Sequence, residues 1–119
     1  MKEHEKGDEH VTITEHQDWL VDFYQRRHWY QYSPFVHLNF LTEEAGEVSR
    51  AIRAIEIGRD HPGEKQATPA ARQANLREEL ADVLDQVLVI SSLYDIDASD
   101  LLSASETKLT ERFKDSQPD

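Results

Sequence analysis

Apolar and aromatic positions recur along this chain at three- and four-residue steps, and prolines, glycines and polar clusters punctuate them. Trp19, Leu20, Phe23, Tyr24 and the Arg27/His28 pair follow the spacing of an amphipathic helix. Thr14 is placed to cap its start, and Tyr32-Ser33-Pro34 breaks it. A second helix is expected from Pro34 or Thr42 to Ile57, with Leu41, Ala45, Val48, Ile52 and Ile55 forming a stripe in alternating steps of four and three. Gly58 suits a C-cap, and residues 58–74, polar and holding two Pro and two Gly, read as a mobile connection. A third helix is expected over about Asn75–Tyr94, with Leu76, Leu80, Val83, Val87, Ile90 and Tyr94 on one face. After a turn at Asp95-Ile96-Asp97, either Asp97 or Ser99 caps a last helix carrying Leu101, Leu102, Ser105 and Leu109 to about Phe113. No segment alternates with the period of a strand, so the expected fold is all-α, with four helices in a bundle-like arrangement.

The 119 residues fit one domain, expected over 12–114, between a flexible acidic N-terminal arm at 1–11 and a polar tail at 115–119. Four short helices with apolar stripes offer more surface than one small monomer encloses, which points to a homodimer or homotetramer. The chain has no cysteine, which excludes disulfides and thiolate chemistry. No apolar run approaches the ~20 residues that span a bilayer, and the polar start lacks a signal-peptide centre, so the expected location is the cytoplasm.

The formal charge of −11, from 24 acids against 13 bases, disfavours nucleic-acid polymers and anionic membrane surfaces. It disfavours a triphosphate equally, unless some acids hold metal ions whose charge reverses the local sign. Most of the acids read as solvated surface, and a lone Glu-x-x-Glu would carry no other meaning.

One internal match changes that reading. Residues 41–48, Leu-Thr-Glu-Glu-Ala-Gly-Glu-Val, and residues 76–83, Leu-Arg-Glu-Glu-Leu-Ala-Asp-Val, share a pattern at an offset of 35. At about 100° per residue from Leu41, the apolar stripe lies within about 40° of zero, and Glu44 and Glu47 fall near 300° and 240°. Glu79 and Asp82 take the same two angles from Leu76, whereas Glu43 and Glu78 point near 200°, outward. If the stripes pack together, four carboxylates converge, and such a cluster persists only if protonated, spread apart or neutralised by a cation. Hard oxygen donors select Mg²⁺, Mn²⁺ or Ca²⁺, and Mg²⁺ leaves coordination positions for water and phosphate.

At these residues the chain resembles the MazG-type, all-α nucleoside triphosphate pyrophosphohydrolases, whose signature is Glu-Glu-x-x-Glu on one helix and Glu-x-x-Asp on the next. Glu43-Glu44-Ala-Gly-Glu47 and Glu79-Leu-Ala-Asp82 match it, and the likeness runs from about Trp29 to Lys108-x-x-x-Arg112-Phe113. The resemblance implies Glu44, Glu47, Glu79 and Asp82 as metal ligands, Mg²⁺ (or Mn²⁺) as cofactor, and cleavage of an NTP or dNTP to a monophosphate and pyrophosphate. Glu44 is favoured to orient the attacking water, with Glu43 as a second candidate because it faces outward. The resemblance further implies phosphate contacts for Lys108 and Arg112 and nucleobase contacts for Trp29 and His37. Without it, the two cations read as surface charge complementing a helix C-terminus, and the aromatics as core. The implied role is nucleotide-pool housekeeping. Two alternatives stay open: a phosphoribosyl-ATP pyrophosphohydrolase, and a non-catalytic helical interaction module with a structural cation site. The connection between the acidic pairs is longer than is common in the family, which suggests a distinctive lid or loop at 58–74.

Overall fold

A computed structural model describes residues 11–58 and 67–116. Nearly all of the expected N-terminal arm, residues 59–66 of the expected connection and residues 117–119 of the tail lie outside the described residues. The described residues form helices α1 (Ile13–Arg26), α2 (Pro34–Glu56), α3 (Pro69–Leu93) and α4 (Ala98–Arg112), with no strand among them. The fold is all-α, as the patterning predicts. The chain divides into two compact units, Met1–Tyr30 with Ser91–Asp119, and Gln31–Ile90.

In the first unit α1 packs against α4. The cap of α1 is Thr12 rather than Thr14: its hydroxyl accepts from the Glu15 N–H at 3.1 Å while the Glu15 carboxylate accepts from the Thr12 N–H at 2.9 Å. This reciprocal box satisfies two donors that the first turn leaves open, which a single hydroxyl at Thr14 would not do. Thr14 instead donates to the Asp97 carboxylate at 2.6 Å, the same oxygen that caps α4 through the Ser99 N–H at 2.8 Å. Helix α1 also ends earlier than expected. Arg27 is its C-cap, and His28 takes a left-handed φ of 62° that carries the chain out of the helix well before Pro34.

Gln17 ties the unit together. It is buried, its amide donates to the Ile96 carbonyl at 3.1 Å, and its oxygen accepts from the Ala98 N–H at 2.8 Å. Ser91 donates to the same Ile96 carbonyl at 2.6 Å, and Leu20, Tyr24 and Ala98 complete the buried set. The turn leading into α4 is therefore held from α1 and from the end of α3.

In the second unit, Pro34 opens α2 at a position where its missing N–H costs nothing. At the other end Ile57 is the C-cap, and Gly58 lies one residue beyond it with φ 86°, the left-handed conformation that favours glycine. The expected loop at 58–74 is shorter than the sequence suggests, because α3 begins at Pro69 and residues 69–74 are helical. The Thr68 hydroxyl accepts from the Ala71 N–H at 3.1 Å, and Pro69-Ala70-Ala71 suits a first turn. The Thr-Pro pair marks a helix start, although the density of Pro and Gly just before it reads as loop.

The buried faces of both helices of this unit differ from the expected ones. On α2 the buried residues are His37 and Ala51, with Val48 and Ile55 half-buried, an arc centred near 300° on the scale set by Leu41. Ala45 and Ile52, expected in the core, are exposed, Ile52 at 45%. On α3 the fully buried residues are Leu88 and Val89, off the expected stripe, with Gln86 also buried; of the stripe, Val83 and Ile90 are half-buried and Leu80 and Val87 are exposed, at 51% and 37%. On α2 the arc that turns inward is the one that carries Glu44, the first acid of its pair.

Candidate metal centre

Glu44 on α2 and Glu79 and Asp82 on α3 each offer a carboxylate oxygen, and these oxygens lie within 4.8 Å of one another. Among the described residues they form the one such group of His, Asp and Glu side chains. Glu44 and Glu79 are half-buried and Asp82 is exposed, so the cluster sits at the rim of the helix pair with one side open to solvent.

The two helices run antiparallel here. The Arg72 guanidinium, near the start of α3, donates to the Ala54 carbonyl near the end of α2 at 3.0 Å. Moving from that contact by seven residues, back along α2 and forward along α3, brings Glu47 level with Glu79; three more bring Glu44 level with Asp82. The repeated motif is thus paired crosswise, the first acid of one copy facing the second acid of the other.

The electrostatics follow from this crowding. Burial is the largest cause raising the Glu44 carboxyl above the ordinary range, followed by the charges of Asp82, Glu79, Glu47 and Glu43. Glu79 is raised by desolvation, then by Asp82 and Glu47, and further by donating a hydrogen bond to Asp82. Asp82 is raised by desolvation, Asp85 and Glu78, while that hydrogen bond from Glu79 pulls it back. All three carboxyls are thus pushed the same way, above the ordinary range, by burial and by one another's proximity. A cluster that resists ionisation in this way is neutralised by a proton or by a cation, and its all-oxygen donor set fits a hard divalent ion.

The other candidate residues are placed as follows. Glu47 is half-buried next to the cluster but outside the three-oxygen group, with a solvent-facing ion pair to Arg50 at 3.7 Å. Glu43 and Glu78 are exposed, as their angles require. His37 is fully buried, with its ring 6.2 Å from those of Tyr32 and Phe40, and presents no surface to a nucleobase in this arrangement. Trp29 belongs to the first unit and is 40% exposed, edge-on to Tyr24 at 5.4 Å and to Phe23 at 6.0 Å. Arg27 lies 3.6 Å above the Phe23 ring. Lys108 and Arg112 are exposed on the last turns of α4, where positive charge complements the helix C-terminus. Sequence reasoning placed Arg72 in a loop and so missed its reach to α2; the signal available was a cation one heptad before Glu79.

Two comparisons bear on this arrangement. The family model described as MazG nucleotide pyrophosphohydrolase domain matches residues 33–116, which takes in both acidic pairs, Lys108 and Arg112 and leaves out Trp29. The chain is also similar to the uncharacterized protein YvdC of Bacillus subtilis (strain 168), 40% identical over 104 residues that cover 87% of this chain and 98% of that protein.

Proposed function

Since this chain belongs to the MazG nucleotide pyrophosphohydrolase family, we propose that it hydrolyses nucleoside triphosphates between the α- and β-phosphates, releasing a nucleoside monophosphate and pyrophosphate. The observation that carries this reading is the convergence of Glu44, Glu79 and Asp82 from two helices on a site open at one side. Glu47, level with Glu79, completes the proposed donor set. A bound Mg²⁺ or Mn²⁺ supplies Lewis acidity toward phosphate oxygens and a lowered pKa for a bound water.

The chain's own groups do the rest. Glu44, half-buried beside Glu79 and Asp82, is suited to orient the attacking water. The water oxygen forms a new P–O bond as the bridging P–O bond breaks, and pyrophosphate departs. Glu43, exposed one residue away, is the weaker candidate for orienting that water. Lys108 and Arg112 are proposed to meet phosphate, and Trp29, whose ring is partly open, to meet the base. The proposed role is removal of unwanted nucleotides from the pool.

Assembly into a homodimer or homotetramer is part of the same proposal. Phe35, Leu38 and Ile52 on α2 and Leu80, Leu84 and Val87 on α3 are exposed apolar side chains on helices whose acidic arcs already face each other. A second copy that covers them removes this surface from water. Light scattering after size exclusion is expected to give an integer multiple of 13.8 kDa above one; a monomer at micromolar concentration removes this part of the proposal. Among the described residues no helix is long and apolar enough to cross a membrane.

The test is a panel of ribo- and deoxyribonucleoside triphosphates with Mg²⁺, with products separated by ion exchange. Monophosphate plus pyrophosphate is the expected result. Diphosphate plus phosphate contradicts the bond assignment, and turnover of phosphoribosyl-ATP alone moves the chain to that activity. No turnover together with no Mg²⁺ binding favours the non-catalytic helical module.

A further inference from the structure

We propose that Arg72 is a positioning residue that sets the register of α3 against α2 and thereby holds the two acidic pairs opposite each other. The inference rests on the metal-site reading above. Arg72 is the fourth residue of α3, near a helix N-terminus, where a cation opposes the local dipole. Its side chain is instead directed to two carbonyls: Nε donates to Ala67 at 3.0 Å, and Nη1 donates to Ala54 at 3.0 Å.

Each acceptor has a reason to be there. Ala54 lies among the last four residues of α2, whose carbonyls have no partner within the helix. The N–H groups of Ile57 and Gly58 both go to the Arg53 carbonyl, at 2.8 and 3.1 Å, so they leave Ala54 to Arg72. Positive charge at that C-terminus is favoured by the dipole of α2. Ala67 immediately precedes Thr68, whose hydroxyl caps α3. One planar guanidinium with fixed donor directions therefore grips the end of one helix and the entry to the next.

The consequence at the site is geometric. Arg72 lies one heptad before Glu79 on nearly the same face of α3, and Ala54 lies one heptad after Glu47 on nearly the same face of α2. The same register that joins Arg72 to Ala54 sets Glu47 level with Glu79 and Glu44 level with Asp82. A slip of one turn displaces α3 by about 5.4 Å, more than the 4.8 Å within which the three carboxylate oxygens gather. The apolar repeat tolerates such a slip better than the carboxylates do, because its three- and four-residue steps recur along both helices.

The experiment compares the wild type with Arg72→Ala and Arg72→Lys in three readouts. Calorimetric titration with Mn²⁺ alone is expected to show affinity about 10- to 100-fold weaker for Arg72→Ala, the scale of losing an outer support of a metal ligand. Arg72→Lys, which can still donate to Ala54, is expected to recover most of the loss. Nucleotide hydrolysis should follow the same order through kcat, with saturating Mn²⁺ restoring part of it. The chain lacks cysteine, so spin labels at Ser49→Cys and Gln73→Cys read the α2–α3 separation directly; Arg72→Ala should broaden or shift the distance distribution at unchanged helical content. Wild-type Mn²⁺ affinity and an unchanged label distance in folded Arg72→Ala overturn the proposal. If the wild type binds no divalent ion, the metal-site reading fails, while the label distances still decide whether Arg72 sets the register.

Discussion

Replacing Glu44 by Gln removes one charge from the acidic cluster at nearly constant volume, so its effect on stability should change sign with the cation. The carboxylate oxygens of Glu44, Glu79 and Asp82 lie within 4.8 Å of one another. At about that separation two unit charges repel by ~0.9 kcal/mol in water and ~3.5 kcal/mol at an effective dielectric of 20. Glu44 is half-buried and Asp82 exposed, so screening brings the value toward the lower limit, about 1–2 kcal/mol. For 119 residues, an unfolding entropy of about 2.1 cal/mol/K per residue converts 1 kcal/mol into ~4 °C of Tm. In a chelator at neutral pH, Glu44→Gln should therefore melt about 4–8 °C above the wild type. With Mg²⁺ at about 100 times its dissociation constant, the wild type gains ~2.7 kcal/mol by mass action. The variant, short of one ligand, gains little, and the order of melting reverses. Differential scanning calorimetry of both proteins in chelator and in excess Mg²⁺ gives the four values needed. A variant less stable than the wild type in chelator, or stabilised equally by Mg²⁺, refutes the reasoning.

Other expectations follow from the same structure. Gln17→Leu keeps the bulk of a buried side chain but strands the buried Ala98 N–H, while the Ile96 carbonyl keeps Ser91; chemical denaturation should show a loss of about 1–3 kcal/mol. Gly46 is helical and a Cβ there meets nothing within 4 Å, so Gly46→Ala should raise stability by about 0.5–1 kcal/mol unless a partner subunit occupies that face. Glu44, Glu79 and Asp82 are all raised, so the folded chain keeps protons that the unfolded chain releases. Their favourable contribution is full below the ordinary carboxylate range and is lost as pH rises through the raised values. Glu15 and Asp97 are lowered by their capping and hydroxyl hydrogen bonds, and their contribution is lost as pH falls through the lowered values. The Tm of the cation-free protein should therefore fall from mildly acidic to neutral pH, and Glu44→Gln should flatten that slope. A Tm rising steadily across that interval contradicts the cluster's electrostatics.

The helices were legible because their signals are local. Pro34, Gly58 and Asp97 mark ends through backbone constraints that act within a few residues. The acidic pairs were legible because repetition at one phase survives any arrangement of the helices. Orientation was not, because it is decided by which arcs meet. On a helix where Leu41, Ala45 and Ile52 are apolar but Ala51 is small enough to be enclosed, composition favours one face and packing chose the neighbouring one. His37 shows the same limit, since the resemblance implies a nucleobase contact there and only the packing reveals its burial. Arg72 was hidden for a different reason: its partners are carbonyls, and backbone acceptors leave no trace in a side-chain pattern.

The central claim is that these carboxylates hold the divalent ion on which a nucleotide is cleaved. Diffraction from crystals grown with Mn²⁺ and a non-hydrolysable nucleoside triphosphate analogue tests it most directly, through the anomalous signal of the ion. The account predicts a Mn²⁺ peak within coordination distance of Glu44, Glu79 and Asp82, with phosphate oxygens completing its shell. Ordered nucleotide with no Mn²⁺ at those carboxylates, or Mn²⁺ held by other acids, contradicts it.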